Sequence, residues 1–310
     1  MSGHRHAAAG LLVLALAACT STPQARATPS PSPAGNCSLK PIPATESGAS
    51  PAVLSDVSGG PGEYLVGVPG GHLTRFFDPS YSPPRLVGDT LYIAQGPPGG
   101  VGDTVVASGP TGCHVIGAGV LTAVSRTNGD AVVSQATKRT LFSSTGKMLR
   151  TLPVENQYSY TLDGHLVGAG ATGLSVYARD AGVTSISTQP SQVLGVLGPS
   201  SLVVEQFGTS KVIDVVTGKS RDLVGHHFFE AAGSPDGKYI AGVDAVSQVP
   251  EVLRVSDLRV VPLPQPGPPQ SFTWSPDSSE VAISTPFGGA LYVVADAHVT
   301  DLGLLDILTW

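Results

Sequence analysis

The chain has 310 residues, and glycine (38) and proline (27) fill about a fifth of it, well above the average for soluble proteins. Both residues weaken helix interiors, so a helical bundle is excluded, while a 41% hydrophobic content argues against wholesale disorder. Charged residues make up 13%, the formal charge is −6 and no Lys/Arg stripe appears, so nucleic-acid binding has no electrostatic footprint.

At the N-terminus Arg5, between His4 and His6, leads into an apolar stretch, Ala7 to Ala18, too short to span a bilayer as a helix. It ends in Leu16-Ala17-Ala18-Cys19. This order resembles the bacterial lipobox, which implies a signal peptide over 1–18 and a lipidated Cys19 as the mature N-terminus. Acyl chains contribute about 0.8 kcal/mol per buried methylene, so two or three of them hold a protein on the membrane surface. The expected location is the extracytoplasmic face of the cell membrane. Loss of Arg5 with the leader makes the mature chain one charge more negative.

Residues 19–36 alternate Pro with Ser and Thr and lack any hydrophobic period, which describes an extended tether. Such tethers in actinobacterial lipoproteins can carry O-glycans, and the Ala/Gly/Arg bias suits a GC-rich bacterial source. Of three cysteines, Cys37 and Cys113 remain once Cys19 is lipidated; in an oxidising compartment they are expected as a disulfide, the alternative being two free thiols.

From 37 to 310 the chain repeats itself. Gly233-Ser-Pro-Asp-Gly-Lys-Tyr-Ile-Ala-Gly242 and Trp274-Ser-Pro-Asp-Ser-Ser-Glu-Val-Ala-Ile283 lie 41 residues apart, each a turn followed by an apolar run. Weaker versions stand at Gly88-Asp89, Asn128-Gly129, Asp163-Gly164 and Pro199-Ser200. A second turn, Thr145-Gly146-Lys147 and Thr217-Gly218-Lys219, recurs 72 residues apart. The spacing of 34 to 39 residues accommodates four strands, the pattern of a β-propeller blade. The two strongest repeats resemble those of TolB-type, WD40-like (PD40) propellers, although Gly233 stands where that family usually has Trp. The fold expected is all-β: seven four-stranded antiparallel blades, near 53–84, 85–119, 120–153, 154–188, 189–224, 225–264 and 265–305. The first lacks an evident inner strand, and Asp306-Ile-Leu-Thr-Trp310 is expected to supply it and close the ring. Six blades with an N-terminal extension is the alternative.

Thr217-Gly218-Lys219-Ser220 is no phosphate loop, because Ile213 occupies the position where Walker A needs Gly. Asp89, Asp130, Asp163, Asp236 and Asp277 recur at one turn, where an Asp accepts backbone N–H bonds, and are read as structural. No catalytic motif, metal-ligand spacing or cofactor fingerprint is present, so no enzyme activity, metal or cofactor is expected. In the propeller reading, one face carries nine of the ten glutamines; Gln95, Gln135 and Gln206 share a slot at the end of a strand and Gln248 lies nearby. Amides there suit peptide backbone or saccharide hydroxyls. His226, His227 and Phe228 belong to the most unusual local string, which is either a ligand contact or an exposed loop over packed aromatics. His72 completes the candidate face.

The resemblance implies a non-catalytic protein-binding or scaffold module of the cell envelope, anchored to the membrane by lipid, with an envelope protein or peptide as partner and no nucleic acid. The alternatives are a solute- or glycan-binding receptor, or a propeller enzyme (lyase, lactonase or hydrolase) using the channel mouth. For the enzyme only His72, His226, His227, Glu155 and Glu205 are candidates.

Overall fold

The computed structural model describes Cys37 and, with short gaps, the backbone of 52–309; side chains are described for most of 84–302. The leader, Cys19, the tether, His72, Gln265 and Gln270 lie outside the described residues.

The described regular elements are all strands. In chain order β1 (Ala52–Asp56), β2 (Glu63–Gly67) and β3 (Leu73–Phe77) pair side by side. The second sheet is β4 (Arg85–Val87), β5 (Thr90–Gln95), β6 (Thr104–Gly109) and β7 (Gly112–Ala118). The third holds β8 (Val120–Val124), β9 (Ala131–Gln135), β10 (Lys138–Phe142) and β11 (Met148–Leu152). In the fourth are β12 (Gln157–Tyr160), β13 (Leu166–Gly170), β14 (Gly173–Tyr177) and β15 (Val183–Ser187). Next come β16 (Gln192–Leu197), β17 (Ser201–Gln206), β18 (Thr209–Asp214) and β19 (Ser220–Asp222). They are followed by β20 (Phe228–Gly233), β21 (Tyr239–Asp244), β22 (Pro250–Arg254) and β23 (Arg259–Pro262). The last consecutive set is β24 (Ser271–Trp274), β25 (Glu280–Thr285), β26 (Gly288–Val293) and β27 (His298–Asp301). A final strand, β28 (Leu305–Thr309), pairs antiparallel with β1. Seven four-stranded sheets result: six of consecutive strands and one in the order β28-β1-β2-β3. The expected role of the C-terminal segment as the missing inner strand is met by this pairing.

In the six sheets whose side chains are described, burial is highest in the middle strands and low in the fourth. The second strands are almost wholly buried, as in β21 and β25, whereas β19 and β27 are largely exposed. The core lies between sheets. Val243 and Val252 of one sheet meet Phe272, Trp274 and Tyr292 of the next, and Leu174 packs with Leu202 and Ile213 in the same way. First strands of successive sheets also contact one another.

The repeated turn explains the repeated sequence. In Ser234-Pro-Asp-Gly237 the Ser234 hydroxyl donates to Asp236 Oδ1 (2.7 Å), which also accepts Lys238 N–H (3.1 Å). Ser275 and Asp277 reproduce this (2.6 and 3.1 Å), as does Thr161 Oγ1 to Asp163 (2.5 Å). The hydroxyl of Ser234 or Ser275 then accepts the first N–H of the following strand. Thr145-Gly146-Lys147 and Thr217-Gly218-Lys219 are turns between the third and fourth strands of their sheets, not a phosphate loop opening a helix. Asp130 departs from the repeat: it is buried and paired with Arg179 of the next sheet at 2.8 Å.

Cys37 and Cys113 form a disulfide, with Cα atoms 5.7 Å apart, in the normal range. It ties the start of the folded part to β7 and packs on the cluster of Leu86, Leu91, Ile93 and Val106.

Candidate functional site

Antiparallel order divides the connections. Turns from first to second and from third to fourth strands emerge at one end of each sheet; the remaining connections emerge at the other. The residues expected to bind lie at this second end, and the structure sorts them into three kinds.

Some glutamines are structural. Gln206, at the end of β17, is buried, and its Nε2 donates to Ser187 Oγ (3.1 Å) and Ser191 Oγ (2.8 Å). Gln157 spans the first strands of two sheets, donating to Val193 O (2.8 Å) and accepting Val193 N–H (3.0 Å). Others face solvent: Gln135 and Gln248 are exposed and Gln95 is half-buried, each in a separate sheet. Gln248 closes the turn after β21 with φ of 56°.

The histidine string is built into its neighbours. His226 Nδ1 lies 3.0 Å from Glu251 Oε1. Burial pushes the Glu251 carboxyl above its ordinary range, and His226 works against that shift. Asp244 caps the site from the end of β21, its Oδ1 accepting Val246 and Ser247 N–H (3.1 and 2.7 Å) and its Oδ2 accepting His227 N–H (3.3 Å). Burial acts to raise Asp244, but donors led by Ser247 outweigh it and hold the carboxyl below its usual range. His227 Nδ1 is buried without a hydrogen-bond partner among the described residues. Glu155 and Glu205 are engaged elsewhere, Glu155 by Tyr177 Oη (3.1 Å) and Glu205 by Gly208 N–H. Among the described residues no three His, Cys, Asp or Glu side chains are arranged to hold a metal.

The aromatic pair is split. Phe228 is 2% exposed, its backbone N–H donating to Ser210 Oγ, so its ring serves the core rather than the surface. A bulge between Phe228 and Glu230 turns Phe229 outward, where it is 52% exposed. Other exposed apolar side chains that the sequence did not single out are Phe207 (72%), Val224 and Val246 (81%). They come from the β17–β18 turn, the β19–β20 connection and the β21–β22 turn, which are all at the second end of two adjacent sheets. Phe207 also holds φ at 50°, a left-handed conformation uncommon for a bulky residue. The available signal was the unusual sequence Gln206-Phe207-Gly208-Thr209, in which Phe replaces the Asn or Asp expected first in a two-residue hairpin turn.

A second feature lies among the first strands. Two cavities, of about 230 and 430 Å³, share Arg85, Val124, Arg126, Tyr160 and Val196. Pro235 and Trp274 flank the smaller and Asn156 and Gln157 the larger. None of these cationic or phenolic residues was anticipated as a site.

No protein-family model and no curated protein sequence matches the chain. Among solved structures it is similar to the beta-propeller domain of Cps50 (Swd1) from Myceliophteria thermophila, at 13% identity and a TM-score of 0.50, over 70% of this chain and 84% of that one. The fold is therefore a β-propeller: the sheets are blades and the cavity lined by first strands is its central channel.

Proposed function

We propose that this protein is a lipid-anchored, extracytoplasmic propeller of seven blades that binds another envelope protein and performs no chemistry of its own. The observation that carries the reading is the apolar group Phe207, Val224, Phe229 and Val246, exposed on adjoining blades at one face. Exposed aromatic and aliphatic side chains presented on one face among polar groups mark association surfaces. Here the polar groups are Gln248 and the His226–Glu251 pair. The left-handed Phe207 supports the same reading, because backbone strain kept at an exposed aromatic is a cost to stability that binding can justify. The TolB-like turns and the lipobox supply the envelope setting, with Cys19 as anchor and the Pro-rich tether as spacer.

The test is capture from detergent-solubilised membranes with the full-length protein and its Phe207→Asn and Phe229→Ser variants. The expected result is a reproducible co-purifying protein lost from both variants, with the fold retained; Phe207→Asn gains about 1 kcal/mol from relief of the left-handed Phe. Equal capture by both variants overturns the surface assignment. Labelled palmitate absent from the wild type, or still incorporated into Cys19→Ala, overturns the anchor.

A further inference from the structure

We infer that the central channel is a binding site for a small oxyanion, a carboxylate or phosphate group gripped by Arg126. The two cavities share Arg85, Arg126 and Tyr160, which come from β4, the turn after β8, and β12, together with Val124 and Val196. Arg126 makes no hydrogen bond or ion pair with any described residue, although its side chain is reachable by solvent. The Tyr160 hydroxyl likewise has no partner among the described residues. Arg85 brings a second positive charge and has an interaction of its own with the protein. No described lining residue of either cavity is an Asp or Glu, in a chain whose formal charge is −6.

One acid, Asp130, acts on Tyr160 and adds to the rise that burial causes in its pKa, yet its carboxylate is held by Arg179 at 2.8 and 3.0 Å. Protein surrounds Arg126 closely enough that burial lowers its pKa, and burial is also the leading cause of the rise at Tyr160. A guanidinium so placed lines the cavity, remains open to solvent and has no anion beside it among the described residues. An oxyanion would supply one: the planar fork donates two parallel hydrogen bonds to a carboxylate or phosphate, and a neutral tyrosine adds a third donor. The larger cavity, about 430 Å³, is in the size range of small-molecule sites. The exposed apolar face of Phe207 and Phe229 lines neither cavity, so the two assignments stand or fall separately.

The experiment is titration of the full-length protein in detergent with sodium phosphate and with disodium succinate, followed by calorimetry and thermal unfolding against sodium chloride at equal ionic strength. At least one oxyanion is expected to bind saturably and raise Tm beyond the chloride control. Phosphate alone assigns the site to phosphate-bearing ligands, and succinate alone to carboxylates. Arg126→Gln should weaken binding by about tenfold or more, Arg126→Lys should recover only part of it for want of the fork, and Tyr160→Phe should cost about threefold. Without ligand Arg126→Gln should melt no lower than wild type, because it removes an uncompensated charge. The inference is overturned if neither oxyanion exceeds chloride, if Arg126→Gln binds as tightly as wild type, or if that variant fails to fold, which would make the guanidinium structural.

Discussion

Two turns of nearly the same sequence differ at one residue, and the difference is informative. Gly237 holds φ at 77° in the first; in the second the equivalent residue is Ser278, at 64°. A left-handed conformation costs a residue with a Cβ about 1–2 kcal/mol, a cost that glycine does not incur. Ser278 keeps its place because its Oγ accepts the Asp236 N–H at 3.0 Å, joining the two turns across neighbouring blades. Ser278→Ala keeps the strain and loses the acceptor, so it should destabilise by about 1–2 kcal/mol. Ser278→Gly loses the acceptor and also the strain, so it should be nearly neutral. Urea unfolding of both variants checks the ordering. Equal losses would mean that the backbone strain is absent, and a neutral Ser278→Ala would remove the bond between the turns from the account.

Strand by strand, spacing dictates what fits. Gly195 in β16 and Gly233 in β20 sit where two first strands run close together: a Cβ on Gly195 would stand 2.6 Å from Ala231 O, and one on Gly233 2.5 Å from Val196 O. This is why glycine stands at 233. At the matching position of the next blade Trp274 has room, packs on Tyr239 and donates from Nε1 to Ala232 O at 2.9 Å. Gly233→Ala should therefore cost about 1–3 kcal/mol, because the obstruction is backbone and cannot rotate away. A thermal melt unchanged from wild type would show that these strands can separate freely.

Local turn chemistry is legible in the sequence, whereas strand irregularities and contacts between blades are not. The turn chemistry of Ser234-Pro-Asp-Gly237 is local, so its repetition exposed the sheet boundaries before any contact was known. The location of Phe229 depends on a bulge, which hydrophobic alternation does not encode. Gln206 looked like a ligand group because its hydroxyl partners are remote in sequence, Ser187 in the preceding blade and Ser191 in the connection leading into β16. Arg126 resembled any polar residue leading into a turn, and only the circular arrangement of first strands sets it in a cavity.

At the scale of the whole molecule, one blade is assembled from both ends of the chain and has two independent fastenings. β28 hydrogen-bonds to β1 with Leu54 opposite Ile307, and β28 also contacts β24 and β25 of the preceding blade. On the other side the chain that leads into β1 is stapled at Cys37 to β7 of the following blade, across a separation of 76 residues. In the chain-entropy account a loop of that length is worth up to about 4.5 kcal/mol. For β1–β3 to leave the ring, the pairing with β28 must break and the staple must also fail to hold the chain near. The fastenings therefore act in parallel against one opening, and neighbouring contributions of this kind are not additive. Ile307→Pro, which removes a ladder N–H, should lower Tm modestly while the disulfide is intact, and Cys37→Ser with Cys113→Ser should do so while β28 is intact. All three substitutions together should lower it by more than the sum, and the calorimetric transition should broaden or split as the first blade opens before the rest. Scanning calorimetry of the four proteins decides the matter. Strict additivity would show that the staple and the closing strand guard different openings, and that the ring does not depend on its first blade being held from both sides.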